Sequence, residues 1–406
     1  QKVLNWLKQF NTFCFLDSSH YQGQYDFLVA AGANTMFQSS ESNALKSFGE
    51  FAGKQGAWLF GHLGYELATV EKISHSEKED RLLFPDICFF EPQIVITCEG
   101  NELTIEAAYP QEIFAAIDQA PLAITDTKNP LTPVQSRLTR DIYIATIEQL
   151  KKHIQRGDCY EINFCQEFFI DHADADPFSL FEKLNLKSPN PFSALYRLND
   201  KWLLCASPER FLKKEENRIF SQPIKGTLRR TNSGNSIEEE RRVLAESQKD
   251  RAENVMIVDL VRNDLSRICE EGSVQVDELF GIYSFPQVHQ MISTVSGTLS
   301  KSTSFTDIIN AAFPMGSMTG APKVKVMQLI DQYEKSRRGI FSGALGYIQP
   351  GGDFDFNVVI RSIIYNQSTQ YLSFQAGGGI TIYSDAEKEW EESLLKAKAI
   401  KDVLSS

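Results

Sequence analysis

Short apolar runs, separated by glycines and polar residues, dominate the first quarter of the chain. Between residues 1 and 108 such runs occupy residues 13–16, 57–60 and 94–97. Runs of this length between turn-forming residues are typical of β-strands. We therefore predict a strand-rich N-terminal region over residues 1–108.

The pattern changes at residues 109–138, where prolines recur. Pro110, Pro121, Pro130 and Pro133 are separated by threonine, aspartate and asparagine, a mixture that favours irregular structure. We predict an irregular connection here, with one short helix near residues 111–118, and we place the main boundary of the chain within it.

Helical periodicity begins after residue 139. Tyr143, Ile147, Leu150 and Ile154 recur at the spacing of one helix face, and Gly157 supplies a stop signal. The same criteria predict later helices over residues 237–258, 304–312, 323–338 and 386–404.

Strand-like runs lie between these helices, at residues 193–198, 202–206, 272–276, 358–365 and 371–375. Because strands and helices come in runs, without regular alternation, the pattern favours an α+β fold with antiparallel sheets over a doubly wound parallel sheet.

Composition narrows the class of protein. The 406 residues are 42% hydrophobic and 23% charged, which is enough for a large core. No apolar run reaches the roughly 18 residues of a membrane span, and the N-terminus lacks the layout of a signal peptide. The seven cysteines are scattered and never spaced as Cys-x-x-Cys, as expected of reduced thiols. We therefore expect a cytoplasmic globular protein.

Charge and histidine content limit the ligands. A net charge of −12 argues against a general nucleic-acid binder and provides no long-range attraction for an anionic small molecule. Such a ligand would have to be held locally by cations, backbone N–H groups or a metal ion. The six histidines form no pair at metal-ligand spacing, which argues against a structural zinc site, whereas oxygen ligands for a hard cation remain open.

The most informative residue is Lys225, in the run PIKGTLRR at residues 223–230. A lysine held between proline and glycine next to a turn can act as a nucleophile if its surroundings lower its pKa. By itself this octapeptide favours the simpler interpretation, a surface lysine after a proline turn.

Several carboxylates are candidates for acid or metal chemistry. Glu209 follows a predicted strand at a proline turn, where partial desolvation would make it a general acid, although a contact with its neighbour Arg210 is the simpler alternative. Glu253 lies beside the apolar stretch 255–258 and needs a partner, either an arginine or a cation.

The last predicted helix carries a charged face. Glu389, Glu392 and Lys396 are spaced i, i+3 and i+7, close to one face of it. Glu392 and Lys396 are also consistent with an ordinary surface pair. Two glutamates from separate helices could instead meet at one Mg²⁺.

Two glycine-rich segments could present backbone N–H groups to an anion. One is a loop that opens a helix, over residues 314–323, and the other is a predicted loop after a strand, over residues 376–380. Neither has the spacing of a P-loop or of a dinucleotide-binding turn.

Taken together and in this order, these segments resemble the chorismate-utilising enzymes, which include anthranilate synthases, aminodeoxychorismate synthases, and isochorismate and salicylate synthases. The resemblance covers roughly residues 139–404 and implies a chorismate-binding catalytic region over residues 139–406; it is looser in the N-terminal third. It implies one α+β body, an antiparallel sandwich with helices outside, to which the N-terminal region contributes strands.

The resemblance also implies roles for individual residues. Glu253 and Glu392 correspond to the Mg²⁺ ligands, Glu209 to the general acid, and Arg361 with the glycine amides to the carboxylate grip. The implied substrate-binding residues are Gly226, Thr227, Ser317, Thr319, Gly320, Arg361, Gly377, Gly378, Gly379 and Lys396.

Lys225 distinguishes members of the family. Anthranilate synthases have alanine at this point, whereas aminodeoxychorismate synthases have a lysine that attacks C2 of chorismate. The resemblance thus implies loss of the C4 hydroxyl, assisted by Glu209, as Lys225 adds. Ammonia then adds at C4 and expels the lysine, so that the enolpyruvyl group is retained.

Two positions depart from the family pattern. Glu161 stands where the amino-transferring members usually have glutamine and the water-using members have lysine. Gln290 stands where the family usually has histidine, and it cannot exchange a proton near neutral pH. The roles of Glu161 and Gln290 are left open, and we expect the neighbouring His289 to face away from the site.

The resemblance implies a separate glutaminase partner that supplies ammonia, because no cysteine lies in the nucleophile turn of a glutaminase. An anthranilate synthase, which would also eliminate pyruvate, is one alternative, and Lys225 argues against it. A catalytically idle chorismate-binding subunit is another. The intact set of Glu209, Lys225, Glu253 and Glu392 argues against that.

Overall fold

The computed structural model describes residues 1–19, 21, 25–68, 78–123, 131, 133–230, 237–285 and 288–406. Residues 124–130 and 132 of the predicted connection, including Pro130, lie outside the described residues. The helices of the described part are α1 (Lys2–Leu7), α2 (Ala44–Gln55), α3 (Pro110–Gln119), α4 (Arg140–Gln155), α5 (Pro177–Lys187), α6 (Ile237–Glu246), α7 (Gln248–Ser266), α8 (Phe305–Ala312), α9 (Lys323–Tyr333) and α10 (Ala386–Leu404), with 3₁₀ turns at Tyr65–Ala68 and Gly316–Met318.

The strands of the described part are β1 (Thr12–Asp17), β2 (Phe27–Ser39), β3 (Leu59–Leu63), β4 (Ile87–Glu99), β5 (Glu102–Glu106), β6 (Gln135–Ser136), β7 (Glu161–Ile170), β8 (Phe192–Leu198), β9 (Lys201–Ser207), β10 (Arg210–Glu215), β11 (Arg218–Gln222), β12 (Ile224–Arg229), β13 (Gln275–Ser284), β14 (Val288–Thr298), β15 (Gly320–Ala321), β16 (Ala344–Ile348), β17 (Phe354–Asn357), β18 (Ser362–Asn366) and β19 (Tyr371–Ile380).

These strands form one continuous antiparallel sheet with two halves. In the first half the neighbours run β7, β19, β18, β9, β8, β1, β2. In the second half they run β3, β16, β17, β10, β11, β14, and β14 also pairs with β12 and β13. The long strands β2 and β4 pair with each other along their length and β4 also pairs with β3, so they connect the halves.

The two halves pack face to face around an aromatic core. Phe60, Phe89 and Phe356 of the second half share one buried cluster with Tyr196 and Leu203 of the first. The other face of the first half is covered by α1, α5 and α10, and a further cluster fills the space between α4, α9 and the ends of β7 and β19. This arrangement confirms the predicted α+β antiparallel class.

Several predicted bounds are wrong. The helix predicted over residues 237–258 is two helices, because Ser247 interrupts it and caps α7 by accepting from the Asp250 N–H. The helix predicted to reach residue 338 ends at Tyr333, after which Glu334 adopts extended backbone. The strands predicted to begin at residues 57, 272 and 358 begin at Leu59, Gln275 and Ser362.

Two long strands escaped prediction. All ten residues of β7 are buried, so it shows none of the alternation that marks a half-exposed strand. Most of β14 is buried in the same way. Within the described residues, none of the helices combines the length and the apolar character that crossing a membrane requires.

Candidate active site

A β-bulge turns Lys225 into the space between the two sheet halves. On β12, Ile224 pairs with Ile292 and Thr227 pairs with Gln290, so β12 has one more residue than β14 across this step. Gly226 takes up the distortion at φ +89, and a Cβ there would lie 2.9 Å from the Cβ of Asp250. The bulge and the glycine therefore bury Lys225, whose side chain is 10% exposed.

The Lys225 amine is held by a carboxylate. Its Nζ donates to Oε1 of Glu161 across 2.6 Å, and Glu161 is 1% exposed. Burial by itself lowers the pKa of Lys225, but Glu161 and then Glu253 outweigh it. The pKa of Lys225 therefore lies above its ordinary value, and the amine is a charged ammonium at neutral pH.

Glu209 is a carboxyl poised near neutrality. It lies between β9 and β10, where the Ser207 hydroxyl accepts from its N–H and its carbonyl accepts from Val358. Burial raises the pKa of Glu209 to about 7, and the nearby Ser317 hydroxyl and Lys225 only partly oppose this. Ser317 Oγ is close to Glu209 but is buried without a hydrogen-bond partner of normal geometry in the described part of the chain.

Glu253 on α7 is a second carboxyl whose pKa lies near neutrality. Its Oε1 is buried and has no hydrogen-bond partner among the residues that the structure describes, and the cation Lys249 of the same helix lies 3.8 Å from it. Burial raises the pKa of Glu253 to about 7; Lys225 opposes the shift and Glu161 adds to it. Sequence reasoning gave Lys249 no role, although its i,i+4 position before Glu253 was visible.

The predicted charged face of α10 is present. Lys396 Nζ donates to the Gly377 carbonyl at 2.8 Å and forms a 2.8 Å ion pair with Glu392. Burial disfavours ionisation of Glu392, but Lys396 and Lys249 outweigh it and lower its pKa. Burial raises the pKa of Glu389.

The charges of α7 and α10 face a common space. Lys249 of α7 interacts electrostatically with Glu253 and with both Glu389 and Glu392 of α10. Among the described residues no three histidine, cysteine, aspartate or glutamate side chains come together as a ready metal cage. The structure thus brings the two predicted metal ligands to one region without joining them.

The predicted glycine loop at residues 376–380 is wrong, because these residues lie inside β19. Gly377 and Gly379 pair with Cys165 and Asn163 of β7. A Cβ at Gly377 would lie 1.9 Å from the Phe164 carbonyl oxygen, and one at Gly379 would lie 2.4 Å from Glu161 Oε1. These glycines therefore allow close approach of the neighbouring strand and of the Lys225–Glu161 pair.

The loop before α9 is present as predicted. The Thr319 hydroxyl is buried and donates to the Met315 carbonyl at 3.0 Å, so it stabilises the loop. Gly320 at φ +141 lies against β7, where a Cβ would be 2.1 Å from the Glu161 carbonyl oxygen. The loop thus positions the backbone of Glu161.

Arg361 is a cation without a fixed anion. It adopts φ +51 just before β18. Burial lowers its pKa, and Glu209 partly offsets this. Its guanidinium forms no hydrogen bond or salt bridge with any part of the chain that the structure describes, so it is free to bind a ligand carboxylate.

Gln290 and His289 face opposite ways, as expected for neighbours in a strand. Gln290 is buried, and its Oε1 has no hydrogen-bond partner among the described residues. The His289 ring contacts the Ser284 hydroxyl at 2.9 Å and Glu240 of α6 at 3.2 Å. Asn254, which sequence reasoning gave no role, accepts from the Ser293 hydroxyl at 2.6 Å, and its buried Nδ2 has no partner within the described residues.

The antiparallel α+β body brings together the buried amine of Lys225, two carboxyls with pKa values near neutrality, and the guanidinium of Arg361. This combination is suited to acid–base chemistry on an anionic small molecule. The chain belongs to the chorismate binding enzyme family, whose family model matches residues 12–402. The match thus extends well into the N-terminal region.

Comparison with individual proteins gives similar results. The chain is 43% identical over 349 residues to aminodeoxychorismate synthase component 1 of Salmonella typhimurium, covering 85% of this chain and 76% of that protein. It is 34% identical to the protein of the same name from Klebsiella aerogenes, covering 85% and 77%. A crystal structure of anthranilate synthase component I from Streptococcus pneumoniae shares the fold, with a TM-score of 0.79, 24% identity and coverage of 94% and 95%.

Proposed function

We propose that this chain aminates chorismate at C4, using ammonia, to give 4-amino-4-deoxychorismate for p-aminobenzoate and folate synthesis. The observation that carries the proposal is the buried, bulge-positioned Lys225 amine within a chorismate binding enzyme fold. The names of the two bacterial relatives support the same reaction. The seven cysteines are all free thiols, which suits a cytoplasmic enzyme.

Lys225 and Glu209 have separate roles in the proposed reaction, as nucleophile and as general acid. The amine of Lys225 adds at C2 while the C4 hydroxyl leaves, which replaces one difficult displacement with two easier ones. Glu209, with its pKa raised to about 7, supplies the proton that converts the leaving hydroxide to water. We assign Arg361 and Lys396 to the carboxylates of chorismate, because each side chain is a cation that can pair with a carboxylate.

The charge balance of the site fits a bound Mg²⁺. Six carboxylates face four cations: Glu161, Glu209, Asp250, Glu253, Glu389 and Glu392 against Lys225, Lys249, Arg361 and Lys396. Glu253 has a raised pKa and an oxygen without a hydrogen-bond partner among the described residues, and both suit a carboxylate ligand of a divalent cation. We propose that Glu253 and Glu392 hold Mg²⁺, which would neutralise a carboxylate of the bound substrate.

A separate glutaminase subunit would supply the ammonia. All seven cysteines are described, and in each of them burial raises the pKa of the thiol. A thiol kept protonated is a poor nucleophile for glutamine hydrolysis. We therefore propose a partner that hydrolyses glutamine and passes ammonia to this chain.

The test is mass analysis of the product formed from chorismate, Mg²⁺ and ammonium. We expect a product in which an amino group has replaced the C4 hydroxyl and the enolpyruvyl group is retained. Loss of the enolpyruvyl carbons would instead identify an anthranilate synthase, and no turnover would indicate a binding subunit. Omission of Mg²⁺ should abolish the reaction.

Lys225→Ala provides the residue-level test of the same proposal. We expect it to abolish or redirect formation of aminodeoxychorismate, because the variant has no amine to add at C2. Lys151→Ala, which removes a lysine of α4 that pairs with Glu148, is the control and should still form the product. An unchanged rate and product for Lys225→Ala would show that this lysine is only structural.

A further inference from the structure

The resting state of Lys225 raises a chemical problem. An ammonium has no lone pair, so the charged Lys225 cannot form a bond to carbon until it loses a proton. Its surroundings favour the charged form, since the nearby carboxylates outweigh the effect of burial on its pKa. A nucleophilic Lys225 therefore needs a proton acceptor in contact with Nζ.

Glu161 is the proton acceptor in contact with Lys225 Nζ. Among the described residues it is the carboxylate that hydrogen-bonds Nζ, at 2.6 Å, and the two side chains are 1% and 10% exposed. Its second oxygen, Oε2, is buried and has no hydrogen-bond partner within the described part of the chain. A purely structural ion pair would gain from a second donor at Oε2, whereas this oxygen is left with capacity to carry a proton.

The backbone around Glu161 is fixed on both sides. Glu161 begins β7 and pairs with Ala321 of β15, and the next residue, Ile162, pairs with Ile380 of β19. Gly320 and Gly379 leave the space that the Glu161 carbonyl and carboxylate occupy. The distance between Glu161 and Lys225 is therefore set by the sheet.

We propose that Glu161 is a catalytic residue of the amination described above, on which this inference rests: it takes a proton from Lys225 before the lysine adds to chorismate and returns it when the lysine leaves. Glutamine, which the family usually has at this position, cannot accept a proton in this way.

The step balances without any external acid or base. Lys225 gives a proton to Glu161, the neutral amine bonds to C2, the two ring double bonds shift, and the C4–O bond breaks as Glu209 protonates the leaving hydroxide. Ammonia then bonds to C4, the C2–N bond breaks, and Lys225 leaves as a neutral amine. Lys225 recovers its proton from Glu161, and the C4 ammonium returns one to Glu209.

Other titratable groups surround the Lys225–Glu161 pair without forming a hydrogen bond to Nζ in the described part of the chain. Glu253 of α7 and Glu209 between β9 and β10 act on Lys225 through space, as does Glu392 of α10, and the buried Cys165 thiol of β7 lies within its field. None of these is hydrogen-bonded to Nζ in the described part of the chain. Proton transfer is therefore assigned to Glu161 alone.

The experiment compares the wild type with Glu161→Gln, measured as kcat/KM for chorismate at a constant concentration of free ammonia from pH 6 to pH 9. We expect Glu161→Gln to be about 100-fold slower at pH 7, the scale of general-base catalysis. Its rate should rise about tenfold per pH unit below neutrality, because the proton of Lys225 must leave to solvent. The wild-type rate should be flat there, so the pH optimum moves to the alkaline side in the variant.

Glu167→Gln is the matched control. Glu167 is also a buried glutamate of β7 in an ion pair, with Arg137 at 2.8 Å, but it lies at the far end of the strand. Its replacement should leave the shape of the pH profile unchanged. A Glu161→Gln variant with wild-type rate and profile would overturn the inference, whereas a wild type that makes no aminodeoxychorismate would overturn the proposed function instead.

Proton release by the wild type gives a second measurement that does not depend on a variant folding. When chorismate and Mg²⁺ are mixed with enzyme in weak buffer without ammonia, Glu161 should retain the proton that Lys225 loses. We expect no proton to reach a pH indicator per lysine adduct, counted by intact mass. Release of one proton per adduct would contradict the role of Glu161.

Discussion

Lys225 and Glu209 both keep a proton near neutral pH, but for different reasons. Burial disfavours charge on both groups. At Lys225 the surrounding carboxylates outweigh burial, so the amine stays charged. At Glu209 burial dominates, so a good share of the carboxyl stays protonated near neutrality and can act as an acid.

The protonation of Glu209 predicts a pH dependence. Its pKa is raised from 4.5 to about 7, so the acid form is present below about pH 7 and is lost as pH rises through that value. We expect wild-type kcat/KM to fall above about pH 7 and Glu209→Gln to lose about 10²–10⁴-fold in rate. The exposed Glu215 of β10 supplies the control, because Glu215→Gln should change neither rate nor profile. A Glu209→Gln variant that retains full activity would contradict the assignment.

At the scale of elements, the bulge in β12 decides the direction of the Lys225 side chain. A regular pairing of β12 with β14 would send successive side chains to alternate faces. The extra residue between Ile224 and Thr227 changes where Lys225 points, and Gly226 makes the backbone possible. Helix α7 packs against this bulge, as the closeness of Gly226 to Asp250 shows.

Gly226→Ala should therefore cost both stability and activity. Alanine is strained at φ +89, and its Cβ would lie 2.9 Å from the Asp250 Cβ. We therefore expect the free energy of unfolding to fall by about 1–3 kcal/mol and Lys225 to be displaced. Gly272→Ala is the matched control, since φ is +76 and no atom lies within 4 Å. It should lower the midpoint of urea unfolding with little effect on turnover. Equal effects of the two variants on activity would argue against the role of the bulge.

At the scale of the whole molecule, Arg338 connects the N-terminal region to the site. It is 1% exposed and donates to Glu334 at 2.7 Å, to the Met318 carbonyl at 2.7 Å and to the Asn163 carbonyl at 2.9 Å. Its guanidinium also lies over the Tyr65 ring, 4.6 Å from the centroid. The loop before α9, the strand β7 and the N-terminal 3₁₀ turn thus meet at one cation.

Removing that cation should destabilise the whole fold. Arg338→Met leaves Glu334 as an uncompensated buried charge, which costs about 3–5 kcal/mol. The double variant with Glu334→Gln should recover part of this loss, because no buried charge then remains unpaired. Urea unfolding measures the stability of the single and the double variant. The control is Arg262→Met, which removes a surface ion pair with Asp259 and should lower the free energy of unfolding by less than about 1 kcal/mol. A double variant no more stable than Arg338→Met would contradict this account.

Local patterns along the chain were sufficient for features that depend on neighbouring residues. The bounds of α10 and its charged face follow from helical spacing, and the α+β class follows from the order of periodic segments. Lys225 and Glu209 could be selected as candidates because proline and glycine turns limit the backbone around them. The fully buried β7, without alternation, gave no such signal.

The tertiary structure alone decided which distant groups meet. Glu161 and Lys225 are 64 residues apart in sequence and are brought to 2.6 Å by strands in different halves of the sheet. The register that creates the bulge, and the pairing of β19 with β7 that buries its glycines, depend on strand neighbours that no local window contains. Burial and the surrounding charges then set the pKa values, because both depend on how the chain closes around the site.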